Sequence, residues 1–158
     1  MYSKWENGEL LVTTDLTKLD VSAIYDYLTR SYWAEGISRE IVERSLRHSL
    51  CFGLFEANQQ IGLARVISDY ATFAYLADVY VLEAYRGRGL AKWLMRCVQA
   101  HPQLQNLRKF VLVTRDAHEL YRRFGFEAPK KPQNYMELPK RDIYKAGVID
   151  GQSPSGAQ

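Results

Sequence analysis

A strand that runs into a glycine-rich turn and straight out into a helix fixes the middle of this chain. The stretch is Ala77-Asp78-Val79-Tyr80-Val81-Leu82-Glu83-Ala84-Tyr85-Arg86-Gly87-Arg88-Gly89-Leu90-Ala91. Two glycines, two residues apart and flanked by arginines, sit where the helix begins. A helix start offers N–H groups with no partner inside the helix and the positive end of its dipole, so it favours an anion. Glycine lets the backbone approach that anion closely, and arginine adds a charge that does not titrate away. By itself the stretch says that a phosphate group binds here.

The surroundings of that turn read as one soluble domain. At 158 residues the chain is long enough to bury roughly two-thirds of its unfolded surface without staples. We assign residues 6–143 to the domain and expect the Gly/Ser-rich tail, 144–158, to be disordered. A net charge of +3, from 21 basic and 18 acidic residues, is too weak and dispersed for a nucleic-acid partner. The two cysteines, Cys51 and Cys97, lie in apolar contexts and read as buried thiols. No Cys/His cluster suggests a metal. The chain shows no signal core and no apolar run of about 18 residues, so we expect a cytoplasmic protein without a membrane partner.

Residues 9–14 read as a first strand. Thr17 to Asp20 has the form of a capping box, followed by Val21, Ile24, Tyr25 and Leu28 at helical spacing. A second helix starts at Ser38. Between the two lies Ser31-Tyr32-Trp33-Ala34-Glu35-Gly36, where two large aromatics and an acid occupy a connection. Tyr32 and Trp33 either plug the core edge or line a ligand pocket. Residues 51–57, 61–67 and 72–81 form an antiparallel meander. Leu90, Leu94, Cys97 and Val98 face inward on a helix that His101-Pro102 stops. Residues 109–114 are nearly all apolar, as in a strand buried on both faces. Asp116 caps a helix through Tyr121 that ends at Gly125, and Phe126 and residues 135–138 suggest further strand. The fold class is α/β, a mixed, mostly antiparallel sheet flanked by helices, in the order β-α-α-β-β-β-α-β-α-β.

Three phosphate motifs compete for the turn. No GxxxxGK[ST] string occurs. The dinucleotide fingerprint needs a third glycine and a place after the first strand, and neither is met. Arg86-Gly87-Arg88-Gly89-Leu90-Ala91 fits the acyl-CoA turn [RQ]-x-x-G-x-[GA] at each fixed position. Downstream, Ala117-His118-Glu119-Leu120-Tyr121-Arg122-Arg123-Phe124-Gly125-Phe126 matches A-x-x-L-Y-x-x-x-G-F. On these two motifs and the element order, the chain resembles the GNAT superfamily of acetyl-CoA-dependent N-acetyltransferases over roughly residues 9–138.

The resemblance implies an enzyme that moves an acetyl group from acetyl-CoA to a primary amine, with no metal. It places the pyrophosphate on Arg86, Gly87, Arg88, Gly89, Leu90 and Ala91, and pantetheine along Val79, Tyr80 and Val81. It gives the Val79 N–H to the oxyanion of the attacked carbonyl and makes Tyr121 the acid that protonates the leaving thiolate. Asp78 is the candidate base on the same strand, or else a helix cap or bulge anchor, with Glu35 and Glu83 as other candidates for the base; ordered water without a dedicated base also fits the family. Thr114 stands where many members carry an asparagine against pantetheine.

The acceptor is less constrained. Tyr32, Trp33 and Glu35, with Tyr70, Phe73 and Tyr135 behind them, suit a cationic or partly apolar small-molecule amine such as an amino acid, a polyamine or an aminoglycoside-like compound. A protein lysine or N-terminal amine is the alternative substrate, and a non-catalytic acyl-CoA sensor the alternative class. A homodimer stays open.

Overall fold

The computed structural model describes residues 1–145. Its centre is a six-stranded sheet in the order β1-β2-β3-β4-β5-β6. The strands are β1 (Lys4–Asn7), β2 (Leu10–Thr13), β3 (Leu50–Glu56), β4 (Gln59–Ser68), β5 (Phe73–Val81) and β6 (Lys109–Leu112). Neighbours run antiparallel as far as β5, and β6 pairs parallel to β5. Helices α1 (Val21–Leu28) and α2 (Arg39–Arg47) cover one face, and α3 (Leu90–Ala100) and α4 (His118–Arg122) belong to the other.

The expected class therefore stands, with changes at both ends of the element order. β1 is an added strand; it is largely exposed, and only Trp5 turns inward to meet Phe52. Residues 126–138 form no strand. Met136 and Leu138 are 96% and 93% exposed, because no sheet edge in the described chain receives them. β6 is a half-buried edge strand rather than one buried on both faces. Asp20 is itself the N-cap of α1 and accepts from the Ala23 N–H at 3.0 Å, so the cap falls three residues later than expected and, with Ala23 at the N3 position, is a single cap and not a box. The Thr114 hydroxyl, not Asp116, meets the Ala117 N–H before α4, at 3.0 Å. Ser38 caps α2 as expected. The hairpin of β3 and β4 turns on Ala57 and Asn58, both left-handed, as a two-residue turn between right-twisted strands requires.

Burial follows the two-sided plan. Phe52, Leu54, Val66, Leu94, Met95 and Val98 belong to the α3 side, and Ile24, Leu28, Val42, Leu46 and Leu63 to the α1–α2 side. Tyr144, the first residue of the expected tail, packs on the second cluster and lies against Gly36. Residues 146–158 of the expected tail lie outside the described residues. Both cysteines are free and buried, and burial pushes the Cys51 thiol up to about 12 and Cys97 up to about 11. That chemistry suits packing and not nucleophilic attack.

His101 makes the fold pH-sensitive. It is buried against the Trp5 and Phe52 rings, and its Nδ1 accepts from the Gln103 N–H at 3.3 Å. Burial lowers its pKa from the ordinary 6.5, so the folded chain takes up this proton later than the unfolded chain. The stability tied to neutral His101 is fully present above about pH 6.5 and declines as pH falls through the window below it. The carboxylates of Asp15, Glu56, Asp69 and Glu83 are held below their ordinary values, so their contribution is lost only at lower pH. Melting curves between pH 7.5 and 5.5 should show falling Tm. The slope should flatten in a His101→Gln variant, and an unchanged slope there assigns the effect elsewhere.

Candidate functional site

The cleft begins where β5 and β6 part. Their parallel pairing runs from Phe73↔Lys109 to Leu76↔Leu112 and stops. From Ala77 to Val81 the β6 side of β5 has no strand partner among the described residues. On the other side, Arg65 pairs with Asp78 and Val66 with Leu76, which leaves Ala77 with no residue opposite. This one-residue bulge exchanges the faces of the strand. Before it, Ala74 and Leu76 belong to the α3 side; after it, Val79 and Val81 do, and Tyr80 belongs to the α1–α2 side.

The opening is a cleft of about 1050 Å³ lined by the α1–α2 connection, β5, the glycine turn, the start of α3 and the β6–α4 segment. Gly87 and Gly89 hold φ of +80° and +74°, and a Cβ built on either would meet no atom within 4 Å. Backbone geometry requires glycine here, and the space above both stays open to a ligand. Gly89 is the N-cap of α3 and supplies no side chain to it, so the first N–H groups of an 11-residue helix keep their hydrogen-bonding capacity beside the cleft.

Of the residues singled out in the sequence, Val79, Tyr80, Val81, Arg86, Gly87, Gly89, Leu90, Ala91, Tyr32, Trp33 and Tyr121 line this cleft together. Arg88, Asp78 and Glu35 do not. The Arg88 guanidinium turns to Glu56, 2.5 Å away, which leaves only its backbone in the turn. Glu35 is exposed on the α1–α2 connection, on the side where Lys145 feels its charge. Tyr70, Phe73 and Tyr135 are also off the lining; Tyr75 joins Tyr80 as an aromatic that β5 contributes.

Asp78 is buried beneath the cleft wall. One oxygen accepts from the Trp33 indole N–H at 2.7 Å, and the other accepts from Arg65 Nε at 2.6 Å. Arg65 also donates to the Ser49 hydroxyl at 3.0 Å. A carboxylate engaged on both oxygens is an anchor more than a proton acceptor. Glu83 is tied up too. Arg30 reaches its two oxygens at 2.7 and 3.3 Å and pulls its carboxyl down to about 2. Arg86 donates to the Val81 carbonyl and the Tyr27 hydroxyl, both at 3.0 Å, and so braces the end of β5. Tyr27 stacks flat on Tyr80 with ring centres 3.8 Å apart.

Two phenols line the cleft from opposite elements. Tyr121, from α4, has a buried ring and no hydrogen-bond partner for its hydroxyl among the described residues. Burial pushes it up to about 12, and Tyr32 adds to the shift. Tyr32 crosses from the α1–α2 connection. Its hydroxyl accepts from the Arg115 N–H at 3.4 Å, and the Arg115 guanidinium lies 3.8 Å from its ring centre. Arg115, Tyr75 and Arg65 are site residues that the sequence did not mark. Arg115 sits one residue beyond Thr114, in the segment already read as approaching a ligand; the other two needed the bulge and the sheet register. Among the described residues no group of three or more His, Cys, Asp or Glu is placed to hold a metal, and no helix is long and apolar enough to cross a membrane.

Known proteins similar to this chain share its fold. A family profile for an acetyltransferase (GNAT) domain matches residues 47–128. A curated protein of Gibberella zeae named as an acetyltransferase is 33% identical over 138 residues, covering 74% of this chain and 78% of its own. A crystal structure of a GNAT-family acetyltransferase from Xanthomonas campestris shares 49% identity at a TM-score of 0.85, covering 89% of this chain and 99% of that one. An acetyltransferase from Clostridium acetobutylicum solved with acetyl-CoA has the same fold, at 19% identity and a TM-score of 0.60, covering 88% of this chain and 95% of its own.

Proposed function

Because this chain belongs to the GNAT acetyltransferase family, we propose that it transfers the acetyl group of acetyl-CoA to a primary amine of a small molecule by direct attack. The observation that carries this reading is the shared cleft. Tyr121 lines it from α4, the unpaired stretch of β5 lines it from the sheet, and the glycine turn closes its far end. The residues fit the cosubstrate. Gly87, Gly89 and the α3 start offer N–H groups and open space to a pyrophosphate. The free side of Val79 to Val81 suits an amide-bearing arm that adds like a strand.

In the transfer, the amine nitrogen bonds to the acetyl carbon, the carbon–sulfur bond breaks, and the amine gives up a proton. We assign the Val79 N–H to the oxygen that gains charge, and the Tyr121 hydroxyl to the sulfur that leaves. A preorganised N–H of this kind is worth a few kcal/mol. Neither Glu83, held by Arg30, nor Asp78, held by Arg65 and Trp33, is disposed to take the amine's proton, so water in the cleft is the acceptor we favour. Two buried, free thiols fit a reducing, cytoplasmic setting.

The test is release of free thiol from acetyl-CoA, followed with a panel of small primary amines and with lysine-bearing peptides. Turnover on small amines is the expected result. Acetylation confined to peptides overturns the small-molecule reading. Tight acetyl-CoA binding with no acceptor of either kind favours a sensor.

A further inference from the structure

The cleft also selects among amines. Its lining carries four cationic side chains, Arg30, Arg86, Lys92 and Arg115, and two carboxylates, Glu83 and Asp116. Each carboxylate already has an arginine, at 2.7 Å for Glu83 and 3.4 Å for Asp116. A nearby exposed acid, Glu137, bears on Tyr75 but is not part of the lining. With the cations of the glycine turn and the α3 start facing the cosubstrate's phosphates, a polycation entering this cleft would find no carboxylate of the lining without an arginine and would have to displace one from each acid it met. Acceptors with several ammonium groups are therefore disfavoured.

What the acceptor end offers instead is aromatic surface. Tyr32 and Trp33 meet edge to face with centres 5.1 Å apart, Tyr27 lies 6.2 Å from Trp33, and Tyr75 completes the wall. Trp33 is 38% exposed, yet it is not free to turn. Its indole N–H is bound to the buried Asp78 carboxylate, which Arg65 holds in turn. An exposed aromatic fixed through a buried ion pair loses little side-chain freedom when something stacks on it.

Resting on the acetyl-transfer reading above, we propose that the acceptor is an amine with one ammonium group on an aromatic body, and that Trp33 is its specificity-determining contact, with Asp78 as the residue that positions Trp33. Arylalkylamines and aromatic amino acids belong to this class. Polyamines and aminoglycosides do not.

The experiment compares kcat/KM for phenethylamine, tyramine, octylamine, spermidine and kanamycin at saturating acetyl-CoA. The aromatic amines should exceed octylamine, and both polycations should fall below it. Trp33→Ala should raise KM for phenethylamine about tenfold, the worth of one good aromatic contact. It should change KM for octylamine much less, and Trp33→Phe should recover most of the loss. Asp78→Asn offers one acceptor oxygen to two donors, Arg65 Nε and the indole N–H, so the hold on Trp33 weakens; it should act on the KM of aromatic acceptors and hold kcat within about threefold, the pattern of lost ground-state binding. Spermidine or kanamycin as the preferred substrate overturns the proposal and leaves acetyl transfer to small amines intact. A collapse of kcat in Asp78→Asn at unchanged KM makes Asp78 the base and overturns its positioning role. Turnover of peptides alone overturns this proposal together with the reading it rests on.

Discussion

Tyr121→Phe is expected to lower kcat by about 10²- to 10⁴-fold, the usual worth of a positioned general acid, with acetyl-CoA affinity nearly unchanged. The substitution removes one oxygen and keeps the ring, which is buried and packs edge to face on Phe126 with centres 6.0 Å apart. The fold should therefore tolerate it. Burial holds the Tyr121 phenol at about 12, so the proton is present across any ordinary assay range. Taken against an unperturbed thiol near 8.5, donation from such a phenol would be uphill by about 5 kcal/mol. In the proposed reading the leaving sulfur lies beside the buried Tyr121 ring, where partial loss of solvation raises a thiol as well, so the gap narrows, and the hydrogen bond strengthens as charge collects on sulfur. A second signature follows from the sign of the shift. Because the acid form persists up to about pH 12, kcat/KM should rise with pH as the amine deprotonates and show no falling limb below about pH 10. Unchanged kcat in Tyr121→Phe, or a wild-type falling limb near pH 9 that the variant lacks, removes Tyr121 from the acid role or revises its setting.

Local chemistry explains what the sequence made legible. The glycine turn was readable because Gly87 and Gly89 need positive φ, a demand made by the backbone alone. The α4 motif was readable because Ala117, Leu120, Tyr121 and Phe124 keep helical spacing. Long-range pairing decided the rest. Nothing near Arg88 in the chain announces Glu56, 32 residues away, as its partner. Asp78 stayed open between base and bulge anchor because its partners, Trp33 and Arg65, are 45 and 13 residues distant. The bulge at Ala77 sets which side Asp78 faces, and a bulge is a property of two strands. The opposite error arose at residues 135–138, where Tyr-Met-Glu-Leu has strand-like composition but the described chain offers no edge to pair with. β1 escaped notice for a related reason: among Lys4, Trp5, Glu6 and Asn7 only the tryptophan carries an apolar signal.

Asp78→Ala should cost about 3 kcal/mol of stability, the lower end for breaking a buried ion pair by removing one partner. The side chains of Asp78 and Arg65 are only 8% and 14% exposed, so solvent does little to screen the charge left behind. The lower end is chosen because the Ser49 hydroxyl still accepts from Arg65, so the guanidinium is not wholly abandoned. For a chain of this size that loss corresponds to roughly 6–12 °C in Tm. The indole N–H of Trp33 loses its acceptor in the same step. The companion variant replaces both charges, Asp78→Leu with Arg65→Met. Exchanging a buried pair for apolar groups of similar volume is often neutral or better, so the double variant should recover most of the Tm. It should not recover discrimination between phenethylamine and octylamine, because Trp33 stays unanchored. Stability and acceptor preference would then part company in one protein. That separation is the mark of a carboxylate kept to hold an aromatic in place. A single variant as stable as the wild type would show that Arg65 and Trp33 manage without Asp78, and a double variant that regains the aromatic preference would place the selectivity elsewhere in the cleft.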